Sequence, residues 1–176
     1  SVSLPAGMTN LGFLGLHGNR LRNFHLPSNL RSLAQVDLGN NQLTNVTLSD
    51  GLTNLFVLIV EGNPLKSLLL EEPLAEGRFA AFLGFLRTQG VSVLAYPLEI
   101  QLAAPSRVEA GGFEFTIIGP PGTYAVLASP NLADWGEAGR VTNHLGRVDF
   151  VDGQTRVARQ TFYRALHLGS GPQPQD

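Results

Sequence analysis

Three residues that could bind a metal or move a proton fall at related places in the first third of the chain: His17, Asp37 and Glu61. Each lies within or just after a short apolar run, and the runs repeat, so the three sit on three neighbouring strands and in two different columns. Strand spacing alone puts them roughly 5–10 Å apart, whereas a metal holds its ligands at about 2 Å. No metal site is expected there. His25, His144 and His167 share no ligand spacing. No serine lies in a nucleophile-elbow pattern, and Gly119-Pro120-Pro121-Gly122 lacks the lysine and following helix of a phosphate loop. The chain has no cysteine, and Lys66 is its single lysine. Thiolate chemistry is excluded and Schiff-base chemistry is disfavoured. Asp149 and Asp152 flank a turn and could meet calcium, but Asp152-Gly153 reads as a plain turn. Trp135, Tyr124 and Tyr163 could stack on a sugar, but a lone Trp in a small β-domain reads as a core residue. The sequence therefore predicts no catalytic residues, no cofactor and no enzyme activity.

The elements that position these side chains come from a period of 22 residues. Leu11, Leu14, Leu16, Asn19 and Leu21 recur as Leu33, Val36, Leu38, Asn41 and Leu43, and again as Leu55, Leu58, Val60, Asn63 and Leu65. Between them, Val2, Phe24, Val46 and Leu68 keep the same spacing, as do Leu4, Leu26, Leu48 and Leu70, and Met8, Leu30 and Leu52. Self-similarity at a period in this range marks a solenoid. Pairs two apart, such as Val36 and Leu38, share one face of a strand and point inward. One period cannot bury its own apolar face, so its neighbours must. The Asn column follows each strand, where an amide can donate to and accept from the backbone of adjacent turns. It reads as scaffold rather than as a ligand site. On the far side the short runs, with Ser28 and Asp50-Gly51 as turn residues, predict an extended segment and a turn rather than a long helix.

The outward positions of the strands then define a face. One column holds Phe13, Gln35 and Val57, the next Gly15, Asp37 and Ile59, and the next His17, Gly39 and Glu61. Phe13, Phe56, Val57 and Ile59 are apolar where solvent would be expected, and an exposed apolar patch marks an interface. Phe13, Gly15, His17, Gln35, Asp37, Phe56, Val57, Ile59 and Glu61 are the expected partner-binding residues, with Asp37 and Glu61 setting orientation.

After Leu70 the period breaks. Glu71-Glu72-Pro73 is a helix-start signal. Phe79, Phe82, Leu83 and Leu86 then follow helical spacing within 74–89. Gly90 suits the position after the helix, and Val91, Val93 and Leu94 alternate as a strand. This helix-and-strand cap (74–94) should close the array. From residue 98 the texture changes. Expected strands are 98–102, 113–118, 124–129, 138–142, 147–151 and 161–166. Turn signals separate them at Gly111-Gly112, 119–122, Ser129-Pro130-Asn131 and Asp152-Gly153. The predicted class is α+β, mainly β: a solenoid over 1–97, a small antiparallel β-sandwich over 98–168, and an unstructured Gly/Pro/Gln tail over 169–176. Ser1 to Thr9 reads as the second half of a period, so more repeats are expected upstream, the alternative being an unusual cap. A net charge of −2 over 176 residues gives no electrostatic footprint for nucleic acid. No apolar run reaches the roughly 18 residues of a membrane span.

On its three filled periods, residues 1–97 resemble the leucine-rich-repeat family, in a 22-residue form similar to bacterial repeats. The family usually binds partners on its concave strand face. The second part resembles a small β-domain at the C-termini of secreted proteins of environmental bacteria. That likeness rests on Gly122-Thr123-Tyr124-Ala125-Val126-Leu127-Ala128-Ser129, Asn131-Leu132, Trp135, Asp149 and Phe162-Tyr163-Arg164-Ala165. Together the resemblances imply an extracellular or surface-attached, non-enzymatic protein that recognises a protein partner or assembles with itself. The alternatives are a structural subunit of an extracellular polymer or appendage, or a glycan-targeting module of a secreted hydrolase.

Overall fold

The computed structural model describes residues 2, 4–5, 7–28, 30–108, 112–153 and 160–169. The expected turn residue Gly111, the start of the array at Ser1 and the tail from residue 170 lie outside the described residues. The protein is mainly β, with several small sheets; among the described residues 42% are strand and 9% helix. It divides into two compact units, Ser1–Tyr96 and Pro97–Asp176.

In the first unit the 22-residue spacing places short strands, of three residues except for the five-residue Ser67–Glu71, alternately in two parallel sheets. Strands β1 (Phe13–Gly15), β3 (Gln35–Asp37) and β5 (Val57–Ile59) pair in that order, with Leu14, Val36 and Leu58 in register. Strands β2 (Asn23–His25), β4 (Asn45–Thr47) and β6 (Ser67–Glu71) form the second sheet, and Phe24, Val46 and Leu68 are in register. So the extended runs between the first-sheet strands are themselves a hydrogen-bonded sheet. The spacing alone had placed them in line without pairing them. The leucines fill the space between the sheets. Leu38 is sealed from solvent, while Leu16, one period before it, is only partly buried; Leu43 and Leu65 differ in the same way. In these two columns the member with a neighbour on both sides is the better covered, because each period is buried by the next.

The Asn column fixes the turn after each first-sheet strand. The Asn41 amide donates to the carbonyls of Leu16, Leu38 and Gly39 and accepts the Leu21 N–H at 3.0 Å. Asn63 repeats this with Leu38, Val60, Glu61 and the Leu43 N–H. Asn19 reaches only the local carbonyls of Leu16 and His17.

The segment expected to be a cap is more broken than the spacing predicts. The chain forms two helices, α1 (Glu72–Glu76) and α2 (Ala80–Thr88), instead of one helical run over 74–89. At Gly77 the helical path ends, and the Arg78 guanidinium donates to the Leu55 carbonyl at 3.1 Å. The break lets Leu74 enter the core from α1, and Phe79, Leu83 and Leu86 enter it from the second helical segment. The chain leaves α2 through Gly90 (φ +81), where Gly90 N–H bonds Arg87 O and Val91 N–H bonds Leu86 O. This is the paired closure that glycine permits after a helix. Strand β7 (Ser92–Tyr96) then joins β6 in parallel, so the cap strand extends the second sheet only. The buried Tyr96 hydroxyl donates to Leu48 O at 2.9 Å.

The second unit holds two three-stranded antiparallel sheets. Strands β8 (Gln101–Arg107), β9 (Phe113–Ile118) and β12 (Arg147–Asp152) make one, in the order β12-β9-β8. Strands β10 (Gly122–Ser129), β11 (Gly136–Asn143) and β13 (Phe162–His167) make the other, in the order β11-β10-β13. Phe115, Ile117 and Phe150 from the first sheet and Tyr124 and Val126 from the second form one buried cluster. The strand expected at 98–102 instead spans 101–107. Its register with β9 shifts between Ala103 and Ser106, where Ala104 has φ +50. That irregularity takes Pro105, which has no N–H to give, out of the ladder on an edge strand.

Two titratable groups on the second sheet are shielded from solvent: Glu71 is buried and His25 half-buried. Burial raises the Glu71 carboxyl above its ordinary 4.5, partly offset by the Gly51 N–H it accepts. Burial lowers the His25 imidazole below its ordinary 6.5. The signs oppose each other. Glu71 holds its proton more tightly when folded, so its contribution is full at acid pH and is lost as pH rises through the raised value. His25 holds its proton less tightly when folded, so its contribution is full above 6.5 and is lost as pH falls through the lowered value. In thermal unfolding across pH, Glu71→Gln should raise Tm at pH above the raised value and converge with wild type at acid pH. His25→Gln should flatten the decline below 6.5. Separately, Asn41→Ala should cost about 1–3 kcal/mol or more in urea unfolding, since it strands buried backbone groups. Asn19→Ala, which bridges no periods, should cost well under that; equal losses would count against the bridging role.

Candidate functional site

The outward face of the β1-β3-β5 sheet gathers most of the residues singled out by spacing. Phe13, Gln35 and Val57 are register partners, as are Gly15, Asp37 and Ile59. Phe13 is 56% exposed and Phe56 59%, while Val57 and Ile59 are half-buried. At Gly15 a Cβ would stand 2.9 Å from the Phe13 ring, a contact that the exposed ring can relieve by turning away.

His17 does not project freely. Its ring lies over Gly39, where a Cβ would meet Nδ1 at 2.8 Å. Nδ1 stands 3.4 Å from Asp37 Oδ1, and Asp37 also accepts the Gly39 N–H at 2.9 Å. The Asn40 amide nitrogen sits 3.1 Å from His17 Nε2. The ring thus stands between the two side chains, with Nδ1 facing the Asp37 carboxylate and Nε2 the Asn40 amide. Glu61 lies apart from this pair, beside a groove lined by α2. Among the described residues no three His, Cys, Asp or Glu side chains converge on a metal position.

Asn40 was not among the residues picked out by sequence, yet a signal was there. Gly18, Asn40 and Gly62 share the 22-residue spacing, and all three have positive φ: +70, +50 and +69. Asparagine tolerates this conformation better than most residues but less well than glycine. At the one position of the three that is not glycine, the side chain anchors His17. At Gly62 a Cβ would run into Asn40 Oδ1. Gly62→Ala should therefore cost about 1–2 kcal/mol from conformation alone, with more from the clash, read as a lower urea midpoint. A neutral result would remove the positive-φ constraint from that turn.

In the second unit the three aromatic candidates part company. Tyr124 is in the core, and its hydroxyl donates to Pro120 O at 2.6 Å. Tyr163 stacks on Phe113 with ring centroids 5.5 Å apart. Trp135 is not the core residue that the sequence suggested. It is partly exposed, its Nε1 donates to Leu132 O, and the Arg164 guanidinium lies 4.2 Å over its ring. The turn that opens at Asn131, whose Oδ1 caps the Ala133 and Asp134 N–H groups, holds Trp135 on the surface. Asp149 accepts from Thr116 Oγ1 and Asp152 from the Tyr163 hydroxyl. Both candidate calcium carboxylates thus serve the sheets themselves. The 119–122 turn is held by Asn143 Nδ2 on Gly119 O and by the His167 ring, whose Nε2 lies 3.2 Å from Pro121 O.

No family model, curated protein or solved structure matches the chain. Among the described residues no helix is long and apolar enough to cross a membrane.

Proposed function

We propose that the protein is a non-enzymatic recognition or assembly module, binding a protein partner on the open face of its first parallel sheet. In this reading the first unit is a leucine-rich-repeat solenoid of the 22-residue type with a helical C-terminal cap, and the second is a β-sandwich. Its place is outside the cell or on the cell surface. One observation carries the reading. Phe13, more than half exposed, shares a column of this sheet with half-buried Gln35 and Val57, half-buried Ile59 stands in the column beside it, and Phe56, just before β5, is also more than half exposed. Covering such a patch would gain roughly 25 cal/mol for each Å² of apolar surface removed from water. The Asp37–His17 pair beside it supplies a fixed polar mark that can orient a partner.

A photo-crosslinking residue placed at position 56 tests the idea in cells that make the protein. A discrete crosslinked product is expected, and it should vanish when Ile59→Asp is added while circular dichroism stays unchanged. The same label at exposed Thr53, off the face, should give no such product. Equal products from both positions would remove the face from the argument. If the product has the mass of two copies, the partner is the protein itself.

A further inference from the structure

The first sheet stops where the second continues. Strand β7 adds to the second sheet beside β6, but among the described residues no strand follows β5. The ladder shows what is missing. Leu16 N–H bonds Asp37 O and Leu38 N–H bonds Ile59 O, both at 2.8 Å; Gly18 N–H bonds Gly39 O and Asn40 N–H bonds Glu61 O. The next donors in these two columns are Val60 and Gly62. The residues one period on, which would supply their acceptors, are folded into α2. Likewise Leu21 and Leu43 N–H groups bond the Asn41 and Asn63 side chains, while the residue in that place for Leu65 is Phe85.

Along this edge lies a cavity of about 580 Å³ between residues 58–65 and α2. Leu58, Val60 and Leu65 wall one side, with Phe82 and Phe85 across from them; Phe85 is 59% exposed. Glu61 is the one charged side chain in the lining.

We propose that this groove binds an extended peptide segment of another protein, laid parallel to β5 as an added strand, with an aliphatic side chain between the walls and a lysine or arginine beside Glu61. Donors two residues apart ask for carbonyls two residues apart, which only an extended main chain provides. The volume is in the range of small-ligand sites, and the walls are apolar. A lone carboxylate at the rim selects a basic residue over an acidic one. The groove shares Ile59 and Glu61 with the open face but binds through the sheet edge, so it stands or falls separately from the face.

The test uses the whole purified chain and a short fluorescent peptide that alternates leucine with threonine and carries one central arginine. Anisotropy titration should give saturable binding. Phe85→Asp, at an exposed position, should weaken it by about tenfold or more. Glu61→Gln should weaken the arginine peptide but not its glutamine counterpart. Phe56→Asp, on the face, should leave binding unchanged. In amide NMR spectra the Val60 and Gly62 signals should move and gain exchange protection. Absence of binding up to about 1 mM peptide, or equal affinity in Phe85→Asp, overturns the proposal. Concentration-dependent oligomers in light scattering that Phe85→Asp abolishes would assign the groove to a second copy, and also overturn it.

Discussion

A side-chain amide that serves four backbone groups at once sets the geometry of the first unit. Asn41 ties the turn of its own period to the strand end of the preceding period at Leu16 and to the Leu21 N–H, which opens that period's second-sheet run. A chain that turns so soon after a three-residue strand leaves carbonyls pointing inward, where water cannot reach them. The amide answers them, and the strands can then stack at their usual spacing of about 4.8 Å. The leucine columns bury one another only because that stacking is fixed. The αL turn residues Gly18, Asn40 and Gly62 follow from the same demand, since the chain must reverse its curl just before each Asn. The face, the His17–Asp37 pair and the groove beside α2 all take their positions from this one repeated turn.

Much of this was legible. Leu14, Val36 and Leu58 meet in register because the period holds at 22 without an insertion, and the Asn column makes the backbone bonds that its chemistry suggests. The pairing of the intervening runs into a second sheet was not legible, since an extended run has the same pattern whether or not a neighbour lies beside it. The helix break at Gly77 was hidden for a different reason. Leu74, Phe79, Leu83 and Leu86 read as one stripe, but the turn between them depends on Arg78 reaching Leu55 O, more than twenty residues back in the chain.

The site was legible as a surface and not as a set of contacts. Spacing placed Phe13, Gln35 and Val57 in a column, and they pair there. It treated His17, Asp37 and Glu61 as comparable, whereas His17 folds onto Asp37 and Glu61 faces the groove. Side-chain direction past the end of a strand depends on the turn, and the period carries no record of it. Trp135 was misjudged because a large aromatic ring has two stable fates in a small domain. Here the capped turn at Asn131 and the cation of Arg164 hold it at the surface instead of the core.

The kink at Ala104 and Pro105 has a bearing on how the protein survives at high concentration. An edge strand with a straight row of free backbone groups invites any other strand to join it, and proteins commonly blunt such edges with a proline, a charge or a bulge. Strand β8 has all three, in Pro105, Arg107 and the register shift between them and Ala103. Strand β5 has none: Val57, Leu58 and Ile59 run straight, and only the nearby α2 stands guard. The β8 edge is closed to strangers by its own backbone, while the β5 edge is left open to whatever can pass the helix.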